Sequence, residues 1–111
     1  MKTFISILFI VNTFIVSAQE KTAQEKFNKD RESNNITLYI LGGIAAKANT
    51  VSDKVFQKKY GVTYYDFGCL APVNISFYED YNLLVLQHLA EKMDSEWKKE
   101  IKKDILGWNK W

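Results

Sequence analysis

Two residues that could do covalent or acid–base chemistry each occur once: Cys69 and His88. Cys69 closes the run Asp66-Phe67-Gly68-Cys69, which follows a β-prone stretch. In open α/β sheets ligands gather beyond the carboxyl ends of strands, and this run falls at such an end. A thiol there is a candidate nucleophile if its surroundings favour the thiolate. Asp66 or His88 would be its partner, in the manner of a nucleophile with its base. The plainer alternative makes Cys69 a small apolar side chain, as unpaired cysteines often are. Asp66 would then cap its own loop, and His88 would be a core or rim imidazole bonded to a carbonyl. The spacing does not fix the separation of the three residues, so both alternatives stand. A lone cysteine could also form an intermolecular disulfide.

Gly68 would let another backbone or a ligand approach closely. Gly42 and Gly43 make a second glycine pair at the end of a strand-like run, but the other residues of a phosphate-binding loop are missing. Gly42, Gly43 and Gly68 are therefore the candidate ligand-binding positions. One His and one Cys do not make a four-ligand metal set, so no metal and no cofactor is implied.

These residues need elements to position them. Residues 36–41, Ile-Thr-Leu-Tyr-Ile-Leu, are nearly continuous in apolarity and predict a buried strand. Residues 44–48 either return as a second strand or form a loop. Asn49, Thr50 and Ser52 are capping residues for a helix in which Val51, Val55 and Phe56 share the inward face. Lys58 and Lys59 sit in its last turn, and Gly61 ends it in a left-handed conformation. Residues 62–67 are the next strand. Ser76 and Glu79 have capping-box spacing at the start of a long helix. Phe77, Tyr81, Leu84, Val85, His88 and Leu89 recur along that helix at helical spacing. A last helix would carry Trp97, Ile101 and Ile105 on one stripe, capped by Asp94 or Ser95 and ended by Gly107. The expected fold is α+β: a small two- or three-stranded sheet packed against three helices. A third strand would come from residues 44–48 or from a second copy of the chain.

Upstream of this, Lys2, the apolar residues 4–16 and Val16-Ser17-Ala18 have the layout of a signal peptide with cleavage near Ala18. The uncharged run is shorter than a membrane span. Export would place the chain in the periplasm or outside the cell. Residues 19–35 are polar, with Ala23 and Phe27 the apolar exceptions, and predict a tether or a frayed helix. Residues 36–111 would then be a single small domain. With 111 residues, 47% hydrophobic and 25% charged, the chain has globular composition and room for one domain. A net charge of +2 gives no basis for nucleic-acid binding. Lys98, Lys99, Lys102 and Lys103 beside Trp97, Trp108 and Trp111 could touch a membrane or envelope surface. Glu96, Glu100 and Asp104 interleave with them, as on a solvated face.

Phe56-Gln57-Lys58-Lys59-Tyr60-Gly61-Val62, Tyr65-Asp66-Phe67-Gly68-Cys69 with Ala71-Pro72, residues 77–82, and Trp97 with residues 103–107 together form an ordered set. In this the chain resembles a family of small exported bacterial proteins that carry a signal peptide and a single domain. The resemblance implies export but brings no activity and no site residues. An aromatic commonly stands in that family where His88 stands here, which weighs against a Cys69–His88 pair. The leading expectation is a non-enzymatic exported domain that binds a protein partner, with a homodimer as one form of it. The rival is a small thiol-dependent enzyme or redox protein using Cys69.

Overall fold

The computed structural model describes residues 22–42 and 50–111. Its elements run α1 (Ala23–Glu32), β1 (Ile36–Ile40), α2 (Val51–Tyr60), β2 (Val62–Asp66), α3 (Ile75–Lys92), the one-turn α4 (Trp97–Glu100) and a 3-10 turn at Trp108–Lys110. The fold is α+β, as expected. The expected signal segment, Gly43 and residues 44–48 lie outside the described residues.

β1 and β2 pair in parallel, from Ile36 opposite Val62 to Ile40 opposite Asp66. Alternate strand residues point to opposite faces. Ile36, Leu38, Ile40, Val62 and Tyr64 are all buried, and α2 packs on β2 with Phe56 stacked on Tyr64 at 5.4 Å. On the other face Tyr39 is buried against Tyr78 and Tyr81 of α3, while Thr63 and Tyr65 of β2 are exposed. The third strand position is filled from elsewhere in the chain. Ile105 forms an antiparallel bridge with Ile40, and the Leu106 N–H donates to the Tyr39 carbonyl at 2.9 Å.

This pairing explains one departure from the sequence pattern. Trp97, Ile101 and Ile105 are all buried, but the helix stops at Glu100 and Ile101 is already extended. Backbone bonds to β1 replace further helical turns.

A second departure is α1, which is a capped, packed helix and neither a tether nor a frayed helix. Thr22 and Glu25 close a capping box, and Phe27 and Asp30 are buried. Tyr81 donates to Asp30 at 2.7 Å, and Lys26 pairs with the same carboxylate at 3.0 Å. Burial opposes the charge on Asp30, but the bonds from Tyr81 and Lys26 outweigh it and lower its pKa. A polar helix thus docks through one aromatic ring and one carboxylate.

In α2 the Thr50 cap and the left-handed Gly61 stop are as expected. The inward face is not. Asp53, Phe56 and Tyr60 are buried, whereas Val51 and Val55 are exposed. Asp53 is fixed by the Thr50 capping box and by Lys102 at 3.3 Å, and this sets the rotation of the helix. The Ser76–Glu79 capping box does not form either. α3 begins at Ile75 after Asn74, and the Glu79 carboxylate is taken by Lys110 at 2.7 Å.

Asn82 is fully buried at the outer edge of β1, beside Leu106. Its Oδ1 accepts from the Tyr39 N–H at 2.9 Å, and its Nδ2 donates to the carbonyls of Tyr39 at 2.9 Å and Leu106 at 2.8 Å. Asn82→Ala should lower stability by about 2–4 kcal/mol, because buried backbone groups lose their partners. Asn82→Asp should be at least as damaging near neutral pH, since a carboxylate cannot donate to either carbonyl. Urea unfolding midpoints, with slopes compared, check both.

Candidate functional site

The carboxyl ends of β1 and β2 place four of the sequence candidates together. Asp66 ends β2, and its Oδ1 accepts from the N–H of Gly42 at 3.0 Å and of Gly68 at 2.7 Å. The carboxylate ties the exit of β1 to the turn after β2. Gly68 has φ +76°, a left-handed conformation that a glycine takes without strain. A Cβ on Gly42 would drive into the Asp66 carboxylate, so the glycine permits the close approach. Asp66 thus has a positioning task that the sequence alternative of a loop cap anticipated in part. Its reach across to Gly42 was not visible in the spacing.

Cys69 follows this turn and is exposed. It is not the buried apolar side chain that the plainer alternative describes. Beyond it the chain stays on the surface, with Leu70 79% exposed and Val73 fully exposed. Tyr65, on the open face of β2, is 51% exposed. Behind Tyr65 stands an aromatic wall. Tyr39 stacks on Phe67 at 5.7 Å, and Tyr78 meets Phe67 at 5.0 Å.

His88 belongs elsewhere. Tyr78 marks the level of α3 that touches Phe67, and His88 lies ten residues further on, about 15 Å along the helix axis. The imidazole sits edge-on to Phe27 of α1 at 5.8 Å, beside Arg31, Gln87 and Glu91. The structure therefore brings Asp66, Gly42, Gly68 and Cys69 together and leaves His88 apart from them. Burial lowers the His88 pKa, and Arg31 and Lys92 lower it further against the opposing charge of Glu91.

The lysine-rich C-terminal segment resolves into individual contacts. Lys102 pairs with Asp53 at 3.3 Å, Glu100 with Lys59 at 3.0 Å, and Lys103 lies over the Trp108 ring at 4.7 Å. Trp97 is buried, Trp108 is half-buried, and Trp111 is 46% exposed. Trp111 lines an open cleft of about 540 Å³ between α1 and α3, which the sequence did not signal. Among the described residues, no group of three or more His, Cys, Asp or Glu side chains is placed to hold a metal ion. No helix among them is long and apolar enough to cross a membrane.

Comparison with known proteins finds no matching family model, and no curated protein or solved structure gives a significant match. The site must be read from its own geometry.

Two outcomes follow. The folded state holds His88 neutral to lower pH than the unfolded chain does. The unfolded chain therefore binds more protons below its ordinary pKa of 6.5. Stability present above that pH should fall as pH drops below it, and His88→Gln should remove this part of the slope in thermal melts across pH 4.5–7.5, a window of about two pH units below and one above the ordinary histidine pKa. Gly42→Ala should destabilise by about 1–3 kcal/mol through displacement of Asp66 from its two backbone donors. Denaturant melts measure this, and an unchanged midpoint would contradict the tie.

Proposed function

We propose that this chain is an exported, non-catalytic binding domain that contacts a protein partner through the carboxyl end of its sheet. One observation carries the reading. Tyr65, Leu70 and Val73 expose apolar surface on a segment whose turn is pinned by the Asp66 carboxylate. Apolar side chains displayed on a fixed backbone need little ordering when a partner covers them. An aromatic at the edge of such a patch is the residue type that often anchors an interface. The Asp66 oxygen that bonds both glycine N–H groups is engaged in structure, and the imidazole stands about three helical turns away, about 15 Å. This arrangement favours recognition over acid–base chemistry. Export rests on the layout of residues 1–18 and agrees with the family resemblance.

Exposure of Cys69 favours a second reading, a thiol contact through an intermolecular disulfide, including one between two copies. It predicts a reducible higher-mass band on non-reducing gels of protein taken from cells, absent for Cys69→Ser.

For the main reading, a benzophenone maleimide attached at Cys69 should give a discrete adduct in cells on irradiation. Excess unlabelled chain should compete it away. The adduct should be lost when Leu70→Asp and Val73→Asp are combined in the labelled chain. The control carries Cys69→Ser with Ser33→Cys, at the amino end of the strands. No adduct at Cys69, an adduct indifferent to the two aspartates, or equal yield from position 33 would each overturn the reading.

A further inference from the structure

The cleft between α1 and α3 has a composition that points to a ligand class. Two depressions meet along this seam, of about 540 Å³ and about 180 Å³, and both are lined by Gln24, Leu84 and Gln87. They form one groove. From Asp80 at one end to Glu91 at the other it follows eleven residues of α3, about 16 Å. Its larger end lies in the size range of small-molecule sites.

The floor at that end is apolar. Leu83, Leu84 and the half-exposed indole of Trp111 supply it, and Trp111 is held edge-on against buried Trp97 at 6.0 Å. The walls are rich in acceptors. Gln24 donates through its amide nitrogen to Asn28 at 2.9 Å, and Gln87 donates to Glu91 at 3.5 Å, both within their own helices. Each therefore keeps its carbonyl oxygen as an acceptor. Asp80 and Glu91 add carboxylates at the two ends.

A matching ligand must present a flat apolar face to an indole and many hydroxyl donors to the sides. Charge narrows the class further. Asp80 and Glu91 are balanced by Lys110 and Arg31, and Lys110 is already paired with Glu79. An anionic polymer would meet a carboxylate at either end, and an acyl chain would leave the amides without partners. We propose that this groove binds a short neutral oligosaccharide, with one pyranose ring on Trp111 and its neighbours hydrogen-bonded to Gln24 and Gln87. The length accommodates about three rings. The groove shares no residue with the strand-end surface, so the two proposals stand or fall separately.

The test is isothermal titration of the chain with cellotriose and with tri-N-acetylchitotriose. At least one should give saturable heat. Trp111→Ala should weaken that binding by about tenfold or more, about 1.4 kcal/mol. Gln24→Ala and Gln87→Ala, at exposed helix positions that keep the fold, should each weaken it several-fold. These two variants decide the matter if Trp111→Ala fails to fold. No heat with either sugar at about 10 mM, a level that detects millimolar affinity, would overturn the proposal. So would binding that survives both glutamine substitutions unchanged.

Discussion

One primary carboxamide holds this small domain together. A two-stranded parallel sheet leaves the outer edge of each strand without a partner, and such a sheet is a poor structure alone. Tyr39 of β1 turns its N–H and C=O to that outer edge, in the core. The Asn82 side chain is a close copy of a peptide group. It satisfies both and binds Leu106 of the C-terminal segment as well. Each such group left unpaired in the core would cost about 1–3 kcal/mol, a large share of the stability of a domain this size. Asn82 therefore joins β1, α3 and the chain beyond Ile105 at one point. Next to it, Tyr81 donates to Asp30 of α1 and receives a longer bond from the Thr37 N–H at 3.4 Å. Two consecutive residues of α3 thus share the work of a third strand with Ile105 and Leu106.

The same device recurs at the opposite edge. The Gln57 Oε1 of α2 accepts from the Tyr64 N–H of β2 at 2.8 Å. Side-chain amides thus blunt both edges, which limits sheet-to-sheet pairing between chains. Asp66 applies the principle a third time, where the strands end, by gathering the N–H groups of Gly42 and Gly68. The carboxylate thereby fixes the turn from which the exposed Leu70 and Val73 follow.

The elements carried by apolar runs were legible in the sequence: β1, β2, the long α3, and α2 with its Thr50 cap and Gly61 stop. What escaped was most of the structure carried by polar residues facing inward. α1 reads as a tether or a frayed helix because its buried surface is one ring, Phe27, and one carboxylate, Asp30, whose partner in α3, Tyr81, lies 51 residues away. The rotation of α2 was misassigned because Val51 and Val55 outweigh Asp53 on any hydropathy scale. Asp53 is nevertheless the residue caught between a helix cap and Lys102. Ile101 and Ile105 keep helical spacing by coincidence, and their burial is achieved on an extended chain. Pairing with β1 is a tertiary effect that local pattern cannot carry. The same limit applies to the site. Spacing placed Asp66, Gly68 and Cys69 together because they are neighbours in sequence, and it could not place His88.

This use of polar groups bears on function. An acid, base or nucleophile must have an atom to offer a substrate. Here Asp30, Asp53 and Asn82 are buried with bonds to the protein, and the Asp66 Oδ1 is held by two backbone donors. Among the described residues no buried side-chain nitrogen or oxygen lacks a hydrogen-bond partner. A satisfied interior with apolar side chains displayed at one end and an acceptor-lined groove along one helix is the arrangement on which both binding proposals rest. On those proposals the domain's chemistry lies in what its surfaces fit, while the carboxylates and amides inside bond the elements to one another.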